Sequence, residues 1–137
     1  EKEFCFTYGD GVGNNNIAES IKFHKEHGKL ATMTTAYRPG RFGSILTEGN
    51  KISSFKEKPK GDGSMVNAGF FVLSPKVLDL LEDDQTVWED EPLEKLSKMG
   101  ELMAYEHDGY WQPMDTLFDK NTLESDWKEE NPPWKLW

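Results

Sequence analysis

Apolar residues in this chain occur in short runs separated by glycine, proline and charged residues, and this pattern predicts alternating strands and helices. Strands are predicted at Phe4 to Tyr8, Leu30 to Tyr37, Met65 to Leu73 and Leu102 to Glu106, with a β-hairpin from Ser44 to Phe55 that turns at Gly49-Asn50. Helices are predicted at Ile17 to His27, Pro75 to Leu81, Val87 to Met99, and from Asp115 or Thr116 to about Trp127. This order predicts an α/β layered domain with a mixed sheet, in which Met65 to Leu73, apolar on both faces, is the central strand.

The first predicted helix carries recognisable signals at both ends. Asn15 or Asn16 is the expected N-cap, and Gly28 is the expected residue just past the C-terminus. The inner face of this helix is expected to include Ile17 and His24.

Length and composition narrow the class of protein. With 137 residues and 36% hydrophobic content, the chain is expected to form one domain over residues 1–137. A net charge of −9 argues against nucleic acid as a partner, because phosphate backbones are bound by clustered Lys and Arg. The single cysteine, Cys5, excludes an intrachain disulfide, and its neighbours Phe4 and Phe6 predict a buried thiol. The sequence shows no signal peptide, and no apolar run approaches the roughly 20 residues that a membrane span needs. A cytoplasmic protein with no membrane partner is therefore expected.

Two aspartates, Asp10 and Asp115, each follow an apolar stretch. Residues in that position lie at the carboxyl edge of an open α/β sheet, where ligands bind. Two carboxylates that meet there could hold Mg²⁺, with nucleotide phosphates supplying the remaining oxygen ligands. The alternative is structural, with Asp10 in a turn and Asp115 as the N-cap of the last helix. Their separation along the chain does not establish their distance in space.

The run from Phe55 to Gly63 combines a carboxylate, several lysines and two Gly residues directly before the central strand. Glu57 is a candidate ligand for sugar hydroxyls, and Lys58 and Lys60 are candidates for phosphate. This composition predicts a site for a small, polar, phosphorylated ligand. The alternative is an exposed hairpin end that carries charged side chains.

Inside the predicted central strand, Asn67 and Gly69 interrupt a hydrophobic run. A central strand normally avoids glycine unless something approaches its backbone closely, so both residues are candidates for substrate binding. Arg38 and Arg41 flank a Pro-Gly turn, from which they could reach phosphate or simply cover the hairpin.

Six motifs, in order, resemble successive motifs of the sugar nucleotidyltransferases. They are Tyr8-Gly9-Asp10-Gly11-Val12, Pro39-Gly40-Arg41-Phe42-Gly43, Phe55-Lys56-Glu57-Lys58-Pro59-Lys60-Gly61-Asp62-Gly63, Asn67-Ala68-Gly69-Phe70-Phe71-Val72, Trp88-Glu89-Asp90-Glu91-Pro92-Leu93 and Trp111-Gln112-Pro113-Met114-Asp115-Thr116. Each motif alone is weak, but all six in order are specific, and they cover nearly the whole chain. Within the family the chain is most similar to the members that use glucose 1-phosphate and CTP.

The resemblance implies a reaction and a metal. A sugar 1-phosphate oxygen attacks the α-phosphorus of a nucleoside triphosphate and pyrophosphate leaves, here giving CDP-glucose, a precursor of surface-polysaccharide sugars. The rate of such a transfer depends mainly on how the protein positions the reactants and neutralises phosphate charge. By position, Asp10 and Asp115 resemble the Mg²⁺ ligands of the family, and Lys58 resembles the lysine that contacts the sugar phosphate.

The resemblance also implies a sugar pocket. Glu57 resembles the carboxylate that binds sugar hydroxyls, and Gly43 and Asn67 resemble residues that line the pocket. The implied catalytic residues are therefore Asp10, Lys58 and Asp115.

One part of the family pattern is not found in this sequence. The family opens with a Gly-rich loop, an Arg and a Lys, which bind the triphosphate and recognise the base. The resemblance therefore implies a partial Rossmann-like nucleotidyltransferase domain that lacks the first β-α units. Removing one electrostatic donor can slow an enzyme by about 10²–10³, so little or no turnover is expected from these residues alone. Uncovered sheet edges invite pairing between chains, so a homo-oligomer is also expected.

Two other interpretations are compatible with the sequence. The chain could be a free-standing remnant, from a truncated or mobile gene, that folds and oligomerises but binds sugar phosphate at most. It could also be an intact small metal-dependent enzyme of another class, although no nucleophile or base constellation supports that interpretation. In-frame coding sequence for the Gly-rich loop upstream would rule out the remnant.

Overall fold

The computed structural model describes residues 2–40, 44–56 and 64–137 of the chain. Three α-helices, a short 3₁₀ helix at Pro75–Leu80 and eight strands make up these residues. The helices are α1 (Ile17–His27), α2 (Glu91–Lys98) and α3 (Leu117–Trp127). The strands are β1 (Phe4–Thr7), β2 (Gly11–Gly13), β3 (Ala31–Tyr37), β4 (Ser44–Glu48), β5 (Lys51–Lys56), β6 (Met65–Leu73), β7 (Leu102–Glu106) and β8 (Trp111–Pro113).

The largest sheet has four strands in the order β1-β6-β3-β7. β6 is antiparallel to both of its neighbours, whereas β3 and β7 are parallel, so the predicted mixed sheet is confirmed. β6 is an internal strand, as its apolar sequence indicates, and its residues Phe71 and Leu73 pack with Ala31, Val77 and Leu96 in the buried core. The α/β domain of the sequence prediction is therefore the observed architecture.

The predicted hairpin is also present. β4 and β5 form a separate antiparallel pair that turns at the expected glycine, Gly49, whose φ is +59°. Glycine adopts this left-handed conformation without the steric strain that a Cβ would bring.

The ends of α1 lie where the sequence places them, and its expected inner face is confirmed in part. The Asn16 side chain accepts a hydrogen bond from the Glu19 backbone N–H at 3.0 Å, and Gly28 ends the helix with a φ of +66°. His24 is buried as expected, and its Nδ1 shares a 2.8 Å hydrogen bond with the hydroxyl of Thr32 on β3. Ile17, also expected on the inner face, is 46% exposed, whereas Ser20 is buried.

The helix predicted at Val87 to Met99 begins later than expected. α2 starts at Glu91 rather than Val87, and the residues before it form turns. Pro92 explains the difference, because a proline deep within a helix removes a backbone hydrogen bond and clashes with the preceding turn. A helix through this segment can therefore begin only just before Pro92. None of the helices in the described part of the chain is long and apolar enough to cross a membrane.

The expectation of a buried Cys5 is wrong. β1 lies at one edge of the four-stranded sheet, and Cys5 is exposed on it. The neighbouring Phe6 is 38% exposed, although its ring packs against Tyr8, Phe71 and Trp88. An edge strand has a strand neighbour on one side only, so an apolar sequence there does not ensure burial.

A short ribbon of β2 and β8 was not predicted. The two strands pair antiparallel, with Gly11 opposite Pro113 and Gly13 opposite Trp111. Each strand has three residues, too few to show an alternating pattern. This ribbon positions the candidate site.

Candidate functional site

The β2–β8 ribbon brings Asp10 and Asp115 to the same end of the molecule. Asp10 directly precedes β2, and Asp115 follows β8 by two residues. The backbone N–H of Met114 donates a 2.7 Å hydrogen bond to the carbonyl of Asp10, which extends the ribbon to these two positions. The two carboxylates, far apart in sequence, are therefore neighbours in the fold.

Both aspartates line one cleft of about 260 Å³. Arg38, at the end of β3, and Asn67, on β6, also line it, together with the rings of Tyr8 and Trp111. The walls thus come from four separate segments of the chain, and they combine two acidic groups, a guanidinium, an amide and two aromatic rings. Of the residues predicted to form the site, the fold brings together Asp10, Asn67 and Asp115.

A buried carboxylate holds the backbone at Asp115. Asp119 is fully buried, and its Oδ2 accepts hydrogen bonds from the backbone N–H groups of Asp115 and Thr116 at 3.0 and 3.1 Å. The hydroxyl of Thr116 in turn accepts the N–H of Asp119 at 3.2 Å, which completes a capping box at the start of α3. The N-cap is therefore Thr116, and the side chain of Asp115 is not the cap of this helix.

Trp111 connects the ribbon to the central sheet. Its indole Nε1 donates a 3.1 Å hydrogen bond to the backbone carbonyl of Ala68 on β6. A Cβ at Gly11 would lie in ordinary van der Waals contact with Trp111 at 3.5 Å, so this arrangement does not require a glycine there. Sequence reasoning did not single out Trp111 for the site, although it belongs to the same motif as Asp115.

Asn67 is fixed by hydrogen bonds on both sides of its amide. Its Oδ1 accepts the backbone N–H of Gly69 at 2.8 Å, and its Nδ2 donates to the hydroxyl of Tyr8 at 3.2 Å. Burial raises the pKa of Tyr8 to about 12, and the nearby carboxylates of Glu89 and Asp10 act in the same direction. Tyr8 therefore keeps its proton at neutral pH.

Gly69 does not line the cleft. Its φ is +82°, and a Cβ there would lie 2.6 Å from Cδ2 of Tyr8, so the glycine accommodates the tyrosine ring. The sequence indicated that some group lies close to the backbone at this glycine, and that group is the ring of Tyr8. A direct role for Gly69 in substrate binding stays a prediction.

Three predicted site residues, Gly43, Glu57 and Lys58, lie outside the described residues. The same holds for Arg41 and Lys60, which were considered for phosphate binding. Their roles stay predictions from the sequence.

The donor set of the cleft suits a hard divalent cation. Among the described residues, no group of three or more His, Cys, Asp or Glu side chains is placed to hold a metal. The cleft offers the carboxylate oxygens of Asp10 and Asp115, with neither sulfur nor imidazole among its described lining residues. Mg²⁺ is typically held by one or two carboxylates, several waters and substrate phosphates, so these residues fit such an ion.

The chain belongs to the nucleotidyl transferase family, whose sequence model matches residues 1–116. It is similar to the glucose-1-phosphate cytidylyltransferase of Salmonella typhi, with 56% identity over 137 residues, which is all of this chain and 53% of that protein. It is also similar to mannose-1-phosphate guanyltransferase beta-A of Xenopus laevis, with 32% identity across 96% of this chain and 39% of that protein. The chain thus spans about half the length of the Salmonella relative.

A solved structure supports the fold assignment. HddC from Yersinia pseudotuberculosis superposes with a TM-score of 0.68, covering 93% of this chain and 56% of that one. Because its sequence identity is 18%, this likeness shows the fold alone.

Proposed function

We propose that the cleft is the metal and sugar-phosphate part of a nucleotidyltransferase active site whose reaction converts glucose 1-phosphate and CTP to CDP-glucose and pyrophosphate. The observation that carries the proposal is the meeting of Asp10, Asp115 and Asn67 in one cleft. The choice of glucose 1-phosphate and CTP rests on the 56% identity to the Salmonella relative.

The proposed transfer needs little covalent participation by the protein. An oxygen of the sugar phosphate forms a bond to the α-phosphorus of CTP, the bond from that phosphorus to the β-phosphate oxygen breaks, and pyrophosphate leaves with the electron pair. The protein holds the two anions in line and offsets their charge. Mg²⁺, when bound, would neutralise phosphate charge.

The residues of this chain divide that task. Asp10 and Asp115 would hold the cation, and Asn67 would hydrogen-bond a sugar hydroxyl. Arg38 lines the same cleft, and its guanidinium suits a phosphate oxygen of either substrate. Lys58 and Glu57 are proposed, on the family resemblance, to contact the sugar phosphate and the sugar hydroxyls.

Calorimetric titration of the 137-residue polypeptide with glucose 1-phosphate, with and without Mg²⁺, tests the proposal. Binding is expected in the presence of Mg²⁺, and Lys58→Ala is expected to weaken it about 10- to 100-fold, because a charge-assisted hydrogen bond contributes roughly 1.5–3 kcal/mol. Asp10→Asn and Asp115→Asn are expected to remove the dependence on Mg²⁺.

Two control variants separate site effects from general effects of charge. Lys98 and Asp84 are exposed and lie away from the cleft, so Lys98→Ala and Asp84→Asn should bind as the wild type does. No heat at millimolar glucose 1-phosphate, from a folded wild-type polypeptide, would contradict the proposal that these residues form a sugar-phosphate pocket.

Binding and turnover are proposed to be separable. The family's Gly-rich triphosphate loop is not among the motifs of these residues, so the 137-residue polypeptide alone is expected to bind sugar phosphate and to release no pyrophosphate from CTP. A coupled pyrophosphate assay measures this directly. Turnover at a rate comparable with that of a full-length relative would show that the loop is dispensable.

A further inference from the structure

The orientation of the Asn67 side chain is determined by its partners. The backbone N–H of Gly69 can only donate, so the atom that it meets at 2.8 Å must be the amide oxygen of Asn67. The amide nitrogen therefore faces Tyr8, whose hydroxyl accepts from it at 3.2 Å. One N–H of the amide is used in this way, and the second remains for another acceptor.

The Tyr8 ring is held in place by close packing. Its centroid lies 5.8 Å from that of Phe6 and 5.7 Å from that of Phe71, both in edge-to-face arrangements. The ring also fills the space beside Gly69 that a Cβ would occupy. The hydroxyl thus meets Asn67 from a fixed position.

Burial and, to a smaller extent, the charge of Glu89 raise the pKa of Tyr8, so its hydroxyl keeps its proton. The hydroxyl accepts from the Asn67 amide nitrogen, because that nitrogen can only donate.

We infer that Tyr8 is a positioning residue, which holds the Asn67 amide so that its second N–H donates to a hydroxyl of the sugar in a hexose 1-phosphate. Asn67 lines the cleft beside Asp10 and Asp115, so this N–H belongs to a group at the ligand site. The inference rests on the proposed function, because it assumes that a sugar occupies this cleft. It adds one residue that acts through Asn67 and assigns the amide a donor role.

The first experiment needs no ligand. Hydrogen exchange of the Asn67 side-chain amide is followed by ¹⁵N NMR, with its signal assigned by its loss in Asn67→Asp. Tyr8→Phe is expected to speed exchange about 3- to 10-fold, since a hydrogen bond contributes roughly 0.5–1.5 kcal/mol. Tyr105→Phe is the matched control, because Tyr105 packs on Phe23 and does not line the cleft. Equal exchange in Tyr8→Phe and Tyr105→Phe would overturn the positioning role.

The second experiment measures affinity for glucose 1-phosphate and, separately, for inorganic phosphate in the presence of Mg²⁺. Tyr8→Phe is expected to weaken glucose 1-phosphate about 3- to 10-fold and to leave inorganic phosphate unchanged, because the lost contact is to the sugar.

The outcomes distinguish this inference from the proposed function. A folded wild type that binds no glucose 1-phosphate would overturn the proposed function and the sugar contact, while the exchange experiment would still decide the orientation of Asn67. A wild type that binds, together with a Tyr8→Phe variant of equal affinity, would overturn the inference alone. Equal weakening of both ligands would also overturn it, because that result indicates general damage to the cleft.

Discussion

Asp119 should be the most sensitive single position for both stability and the metal site. Its fully buried carboxylate accepts two backbone N–H groups, from Asp115 and Thr116, and the side-chain amide of Gln112 at 3.3 Å. Asp119→Ala leaves these donors without their acceptor. A buried donor left unpaired costs about 1–3 kcal/mol, so with two partly buried backbone donors we expect a loss of about 2–4 kcal/mol of unfolding free energy.

This loss is large enough to measure by thermal denaturation. With an unfolding entropy of about 2.1 cal/mol/K per residue, it lowers Tm by roughly 7–14 °C for a chain of this length. Circular dichroism melts of Asp119→Ala, Asp119→Asn and the exposed control Asp84→Asn would give the comparison. Asn keeps one acceptor oxygen, so Asp119→Asn should fall between the wild type and the alanine variant.

The same substitution should also disturb ligand binding, because Asp119 fixes the backbone that carries Asp115. Titration of Asp119→Asn with Mn²⁺, as a spectroscopic substitute for Mg²⁺, should show weaker metal binding at a temperature where the variant is still folded. A Tm of Asp119→Ala within about 2 °C of the wild type, less than a 1 kcal/mol effect, would refute the reasoning that the capping box is a principal support of this segment.

Three further predictions concern other parts of the molecule. Gly69→Ala should destabilise the protein by about 1–3 kcal/mol in denaturant titrations, because φ is +82° and the new Cβ meets Tyr8. Gly9→Ala should have little effect in the same titrations, because a Cβ at Gly9 would have no atom within 4 Å. Burial lowers the pKa of both His24 and His27 from the ordinary 6.5, so the unfolded chain binds more protons than the folded chain near that pH. The free energy of unfolding should therefore fall as pH decreases through and below 6.5, and a His24→Gln, His27→Gln double variant should lose this slope. The outer edge of β1 has no strand partner among the described residues, so self-association is expected by light scattering and should diminish in Cys5→Lys; a clean wild-type monomer would contradict it.

Elements with long, consistent patterns were predictable from the sequence. β6 was identified as a central strand because it is apolar on both faces, and α1 was bounded correctly by Asn16 and Gly28. The predictions were wrong where contacts with other parts of the fold determine which side chains are exposed. Cys5 is exposed because β1 is an edge strand, and Ile17, in the first turn of α1, is exposed although His24 on the same helix is buried.

The candidate site was predictable residue by residue but not as an arrangement. Asp10 and Asp115 could be selected because each follows an apolar run, yet their meeting depends on the β2–β8 ribbon, whose two strands are non-local and have three residues each. Such pairing leaves no periodic signal in a single sequence. The role of Tyr8 depends likewise on contacts between separate segments. Its signal in the sequence was the glycine within β6, which shows where a ring approaches the backbone but not which ring.

The charges of the cleft explain why a cation is central to the proposed function. The chain carries a net charge of −9, and the cleft itself presents two carboxylates, whereas Arg38 is the one cationic side chain among its described lining residues. A sugar phosphate that approaches this cleft meets like charge, which is unfavourable at short range in a partly desolvated site. A divalent cation between the carboxylates and the phosphate would reverse the sign of that interaction. Because coupling between two bound species is reciprocal, the sugar phosphate would raise the affinity for Mg²⁺ by the same factor by which Mg²⁺ raises the affinity for the sugar phosphate.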